Sequence, residues 1–251
     1  MRYTNHPLER EAVKHQISRL ALLRATVVAW RNVLGANPTP MQLAIKIAHW
    51  AGETGWFREG LWCNNLNNSK RKPDRGPHCY YKCGEVENGV TVYYSPPEIE
   101  SCFGAFDSID RGAEDAIAFL ALDTTPLNGK PNRYQAAWDA LMREDVRAFC
   151  HELGLAVFYT ADPDHYRRLV EGCLKLLLDS NDFRVVADQL AEMGEPGPPL
   201  VEPPEHHHSP STTDDIARAW GNIWIGDPVM GLPDDLYDEL AEQKRKDIAD
   251  K

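Results

Sequence analysis

Long apolar runs are missing from this sequence. No stretch of its 251 residues approaches the roughly 18 consecutive apolar residues that a membrane span requires. The opening "MRYTNHPLEREAVKHQ" also lacks the charged-then-apolar layout of a secretory signal. Action outside the cytoplasm would therefore need something else to carry the chain there. Basic charge is scarce: 27 Lys and Arg face 38 Asp and Glu, a formal net charge of −11. That balance argues against a nucleic-acid binder, which needs a basic face for phosphate. Strand-forming sequence is sparse too. "GVTVYYS" is the one convincing strand, with "HCYYKCGEVE" as a partner and Asn88-Gly89 as the hairpin turn between them.

What remains is mainly helical. Apolar residues make up 43% and charged residues 26%, enough for one substantial core in a chain of this length. An apolar stripe of Ile17, Leu20, Leu23, Val27, Val28, Trp30 and Leu34 predicts a helix over 7–34, with Pro7 in its first turn and Gly35 at its stop. "NPTPMQLAIKIAHWAG" predicts a second helix capped by Thr39, led by Pro40 and ended by Gly52. Residues 63–101 are polar and rich in Asn and Gly, and read as a small β lobe between helices. Helices resume with "FDSIDRGAEDAIAFLALD", capped by Asp107 or Ser108, then "RYQAAWDALM" and "DVRAFCHELG". A further helix follows in "YTADPDHYRRLVEGCLKLLLD", capped by Asp162 with Pro163 first.

The expected organisation is a body over 1–192, a Pro-rich linker over 193–212 and an acidic, partly helical tail over 213–251. Residues 193–251 carry 13 acids against 5 bases, which leaves the body close to neutral. The linker composition suits a stiff spacer. The tail exposes Trp220, Trp224 and Ile225 in a segment too short for its own core, so it docks on the body or on a protein partner.

Six cysteines are present. Cys150 and Cys173 fall in apolar helical patterns and read as core thiols. Cys63, Cys79, Cys83 and Cys102 lie within 40 residues. Zinc, a disulfide and free thiols all remain open for them.

The segment "HWAGETGWFREGLWCNN" sets one carboxylate, Glu53, among Trp50, Trp56, Phe57 and Trp62. Beside indole rings a carboxyl loses hydration, its charged form is disfavoured, and its pKa rises. Such a group can donate a proton near neutral pH, as a general acid must. Flat aromatic faces and amides such as Asn64 and Asn65 also suit a groove for sugar rings and acetamido groups.

Five segments, "GETGWF", "NNLNNSK", "GEVENG", "FGAFDSIDRGAEDAIAFL" and "YTADPDHYRRL", occur in this order. Together, over about residues 40–178, they resemble the bacterial N-acetylglucosaminidase family of flagellar and autolytic peptidoglycan hydrolases. The resemblance implies a lysozyme-like α+β fold, a helical body and a small β-hairpin lobe flanking a substrate cleft. It implies Glu53 as the general acid, just past its helix end. Glu85 falls on the second acid, carried by the β lobe, with Glu87 as its alternative. Tyr159 falls on a tyrosine facing the catalytic acid. Trp56, Asn64, Asn65, Phe103 and Asp162 are the expected substrate-binding residues, and no cofactor or metal is assigned. The chain departs from the family at Asn67-Asn68, where Phe-Gly is usual. The implied reaction is β-1,4 cleavage of the peptidoglycan glycan strand after N-acetylglucosamine. Cleavage after N-acetylmuramic acid, and a non-catalytic glycan- or protein-binding module, are the alternatives.

Overall fold

The computed structural model describes residues 1–57, 60–87, 90–122, 132–159 and 162–193, with the backbone alone at Val86 and Glu87. The linker, the tail and the Asn88-Gly89 turn lie outside the described residues. Seven helices are described: α1 (Arg19–Leu34), α2 (Pro40–Thr54), α3 (Ile109–Ala121), α4 (Gln135–Met142), α5 (Val146–Leu155), α6 (Pro163–Leu178) and α7 (Asn181–Glu192). The strands are β1 (Lys14–His15), β2 (Leu61–Trp62), β3 (His78–Tyr80), β4 (Cys83–Glu87), β5 (Val90–Tyr94) and β6 (Cys102–Gly104). They form three separate antiparallel pairs, β1 with β2, β3 with β6 and β4 with β5. The fold is mainly α-helical with small isolated β ladders. "GVTVYYS" pairs with the second half of "HCYYKCGEVE", in register from Cys83 opposite Tyr94 to Glu87 opposite Val90. The first half of that segment pairs with β6 instead.

Two helix boundaries differ from expectation. α1 starts at Arg19, where Ser18 accepts from the Ala21 N–H, and not at Pro7. The apolar stripe begins only at Ile17, so a helix over 7–16 would have no continuous face to bury. That segment runs extended along the lobe instead. Arg10 N donates to His78 O at 2.7 Å, His78 N to Leu8 O at 3.1 Å and Cys63 N to Val13 O at 2.8 Å. The fully buried Glu9 carboxylate fixes the strap by accepting from Tyr3 N, Thr4 N and Thr4 Oγ. The second difference is at α2, which runs through Gly52. Gly55, at φ 59°, takes the left-handed position that ends the helix, its N–H bonded to Ala51 O. Glu53 therefore belongs to the last turn of α2. The other end is as expected: Thr39 and Gln42 form a reciprocal capping box ahead of Pro40.

α2 is the central helix. Leu43, Ala44, Ile45, Ile47, Ala48, Trp50 and Ala51 are all buried, as expected for a helix apolar on every side. It packs against α1, α4, α6 and α7. The lobe has its own small cluster of Cys63, Cys79, Tyr81, Cys83, Phe103 and Ala105. Body and lobe meet at the "NNLNN" loop. A Cβ on Gly112 of α3 would lie 1.9 Å from Asn64 O, so only glycine permits that approach. Among the described residues no helix is long and apolar enough to cross a membrane.

Candidate active site

Glu53 reaches its place because α2 is buried on every face. Its side chain is enclosed, and the whole residue is 6% exposed. Tyr166 of α6 donates its hydroxyl to Glu53 Oε1 at 2.7 Å. Glu53 Oε2 has no hydrogen-bond partner among the described residues. Burial pushes the carboxyl up to about 7, against the opposing pull of the Tyr166 hydrogen bond and the Lys46 charge. A carboxyl so placed holds its proton near neutrality and keeps one oxygen uncommitted.

Two further ionisable groups stand behind it on α2. His49 Nε2 lies 4.0 Å from Glu53 Oε1, and His49 Nδ1 lies 3.3 Å from Lys46 Nζ. Both residues are fully buried. Burial pushes His49 well below its ordinary value, helped by Lys46, so the imidazole is neutral. Burial also pushes Lys46 well down, while Glu53 pulls it back up. Phe149 and Phe158 pack on the imidazole at centroid distances of 5.4 and 5.0 Å.

The expected site residues fall into different settings. Tyr159 makes no hydrogen bond to Glu53. Its hydroxyl donates to Cys150 O at 3.0 Å, and its ring stacks on Tyr166 at 3.7 Å. Tyr166, then, is the tyrosine on the carboxyl, seven residues further along the chain. Asp162 caps α6 by accepting from His165 N at 2.8 Å. Trp56 adopts φ 60° just after α2, under the Arg19 guanidinium at 5.3 Å, and its indole N–H has no partner among the described residues. Asn64 donates to Phe106 O at 2.9 Å. Asn65 is 1% exposed and spends its amide on the loop itself, donating to Ser69 O and Gly104 O and accepting from Ser69 N. Phe103 is equally buried, stacked on Tyr81 at 4.0 Å with Lys70 Nζ 4.1 Å from its ring. Asn65 and Phe103 thus shape the lobe from inside.

Glu85 is buried on β4 and ion-paired with Lys70 Nζ at 2.6 Å. Lys70 also reaches Cys83 Sγ at 3.3 Å and donates to Glu100 O. The Glu87 side chain lies outside the described residues. All six cysteines are free and buried. Among the described residues no three His, Cys, Asp or Glu side chains gather to hold a metal ion.

The Asn67-Asn68 departure has a structural use. Asn67 Oδ1 accepts from Trp50 Nε1 at 2.7 Å, and Asn67 Nδ2 donates to Ala116 O at 3.3 Å. Asn68 Nδ2 donates to Glu53 O at 2.7 Å. Two amides thus tie the loop to the end of α2 that carries Glu53.

Sequence reasoning missed Lys46, His49 and Tyr166. The first two had a signal: in "AIKIAHWAGE", ionisable residues recur at steps of three and four on an otherwise apolar helix. No family model, curated protein or solved structure matches this chain.

Proposed function

We propose that this chain is a peptidoglycan hydrolase of the N-acetylglucosaminidase type, with a lysozyme-like arrangement of helical body and β lobe, and with Glu53 as its general acid. The observation that carries this is the housing of Glu53. Its carboxyl is enclosed, held at one oxygen by Tyr166, uncommitted at the other, and pushed up to about 7. The ordered segments that resemble the glucosaminidase family supply the substrate class, the glycan strand of peptidoglycan.

In the proposed reaction, protonated Glu53 gives its proton to the leaving glycosidic oxygen as the C–O bond breaks and the sugar gains oxocarbenium character. Glu85 of the lobe then activates water or steadies the cation, unless the substrate's own acetamido oxygen does so. Water supplies the hydroxyl at the new reducing end, and its remaining proton restores Glu53. The closed housing keeps the proton on the carboxyl, so the glycan must open the site to reach Oε2. Contacts around a catalytic acid commonly tighten or rearrange once substrate is bound. Trp56, with its uncommitted N–H near the end of α2, is the proposed sugar-binding aromatic. The tail over 213–251 is proposed to contact a protein partner that delivers the enzyme to the wall.

The test is digestion of purified peptidoglycan by the full chain and by Glu53→Gln, with mass analysis of the new reducing ends. Wild type is expected to release N-acetylglucosamine ends, and Glu53→Gln to lose roughly 10²-fold or more of that release while keeping its fold. N-acetylmuramic acid ends would make the enzyme a muramidase. Near-native turnover by Glu53→Gln, or binding without cleavage by wild type, would refute the proposed role.

A further inference from the structure

Lys46 has no part in the reaction just described, yet it is the most expensive residue to bury on α2. It is 0% exposed on a helix surrounded by core. A buried ammonium is costly unless compensated, and an apolar side chain of similar volume would pack there at no such cost. Its ammonium has two ring neighbours on its own helix. Nζ lies 4.7 Å from the Trp50 ring and 3.3 Å from His49 Nδ1. The far side of that imidazole is 4.0 Å from the Glu53 carboxyl. Residues 46, 49 and 53 follow one another at helical spacing, so all three share a face of α2.

We propose that Lys46 is a positioning residue for Glu53: a cation buried on the same helix face, linked to the carboxyl through His49, that sets the pH at which Glu53 releases its proton. When Lys46 is protonated it has only donors to offer, so His49 Nδ1 accepts and the ring proton sits on Nε2, toward Glu53. Proton loss from Glu53 then leaves an anion facing an N–H with a cation behind it. Without Lys46 the anion would keep the Tyr166 hydroxyl but lose its cation, and the proton would be held to higher pH. Among the described residues, Tyr166 on α6 faces Glu53, and the titratable groups around Tyr166 are Tyr159, stacked on it, and Cys150 on α5. None of these three brings positive charge. Phe149 and Phe158 close the stripe with neutral rings. Lys46 and Glu53 therefore titrate as a linked pair, in which burial favours the neutral forms and mutual attraction favours the charged ones. The consequence for catalysis rests on the general-acid role proposed above, but the linkage itself does not.

The experiment follows the Glu53 carboxyl carbon by ¹³C NMR in the full chain, assigned with Glu53→Gln, as pH is raised. Lys46→Met is expected to move the Glu53 midpoint up by about 1 pH unit. The alkaline limb of wall lysis should rise with it, with KM little changed. An unchanged midpoint in a folded Lys46→Met variant overturns the proposal. Should that variant not fold, ¹⁵N NMR of Lys46 decides. Glu53→Gln removes the anion at nearly constant volume, so Lys46 is expected to deprotonate at lower pH than in wild type, and no change would overturn the proposal. A shifted carboxyl without wall lysis by wild type would leave the linkage standing and remove the hydrolase reading. Wall lysis with an unmoved carboxyl would do the reverse.

Discussion

Glu53 and Glu85 are both buried, at 6% and 2% exposure, yet the helical body and the β lobe house them by different means. The body surrounds Glu53 with apolar helix faces and a neutral phenol, and keeps the nearest cation one imidazole away. The lobe sets Lys70 directly against Glu85 at 2.6 Å. Desolvation favours the protonated form of a carboxyl, and an adjacent cation favours the ionised form. The difference teaches how one chain can bury two acids by different means: a helix core encloses one in apolar surface, and a small lobe pairs the other with a cation. The proposed reaction would use that difference, with Glu53 as the acid and Glu85 as the second carboxylate.

The largest expected effect on stability tests the lobe's side of this contrast. Lys70→Met leaves Glu85 buried without its ammonium, and loss of one partner of a buried pair costs roughly 3–5 kcal/mol. Lys70→Met with Glu85→Gln should recover most of that loss in chemical denaturation. A double variant as unstable as the single one would mean that Lys70 matters for its contacts with Cys83 and Phe103 and not for Glu85.

The body's side is sharpened by pH. The Glu53 carboxyl rises from an ordinary value of 4.5 to about 7 on folding, so between these pH values the folded state binds more protons than the unfolded one. Stability must then fall as pH rises through this window. The cost is absent below the ordinary value and complete above about 7, where it is on the order of 3 kcal/mol. Glu53→Gln is expected to remove this slope, becoming more stable than wild type at alkaline pH and similar to it in acid. Parallel pH dependence in the two proteins would break the contrast.

A smaller pair of effects separates the two stacked tyrosines. Tyr166→Phe strips the Glu53 carboxylate of its hydroxyl donor, costs about 1–3 kcal/mol, and should move the Glu53 midpoint upward. Tyr159→Phe removes one bond to a helix carbonyl, costs about 1 kcal/mol, and should leave that midpoint in place. If only Tyr159→Phe alters the titration, the tyrosine implied by resemblance is the relevant one after all.

These predictions also mark what could be read in the sequence. Helix starts were legible wherever a cap and a proline coincide, as at Thr39-Pro40 and Asp162-Pro163, because the determinants are local. Burial of Glu53 was expected from neighbouring indoles, but the structure brings it about through the enclosed end of α2, with Tyr166 and His49 at the carboxyl and Trp62 stacked on Tyr81 in the lobe. The strap over 7–18 was not, because its hydrogen bonds go to β2 and β3, remote in sequence. Tyr166 was legible as a buried residue of α6 but not as the partner of Glu53, since that contact spans 113 residues and depends on how α2 meets α6. Lys70 gave no signal for the same reason: its pairing with Glu85 depends on how the lobe folds back on itself. Asn65 and Phe103 have the chemistry of groove residues, and only the packing reveals that both face inward.

The most direct test of the central claim is infrared difference spectroscopy of wild type against Glu53→Gln across the neutral range. A protonated carboxyl in a water-poor core gives a C=O stretch separate from the carboxylate bands. The expected result is a wild-type band at about pH 6 that is missing from Glu53→Gln and fades as pH passes through about 7. A spectrum at about pH 6 with no difference from Glu53→Gln in that region, the carboxyl already ionised, would contradict the general-acid assignment at its root.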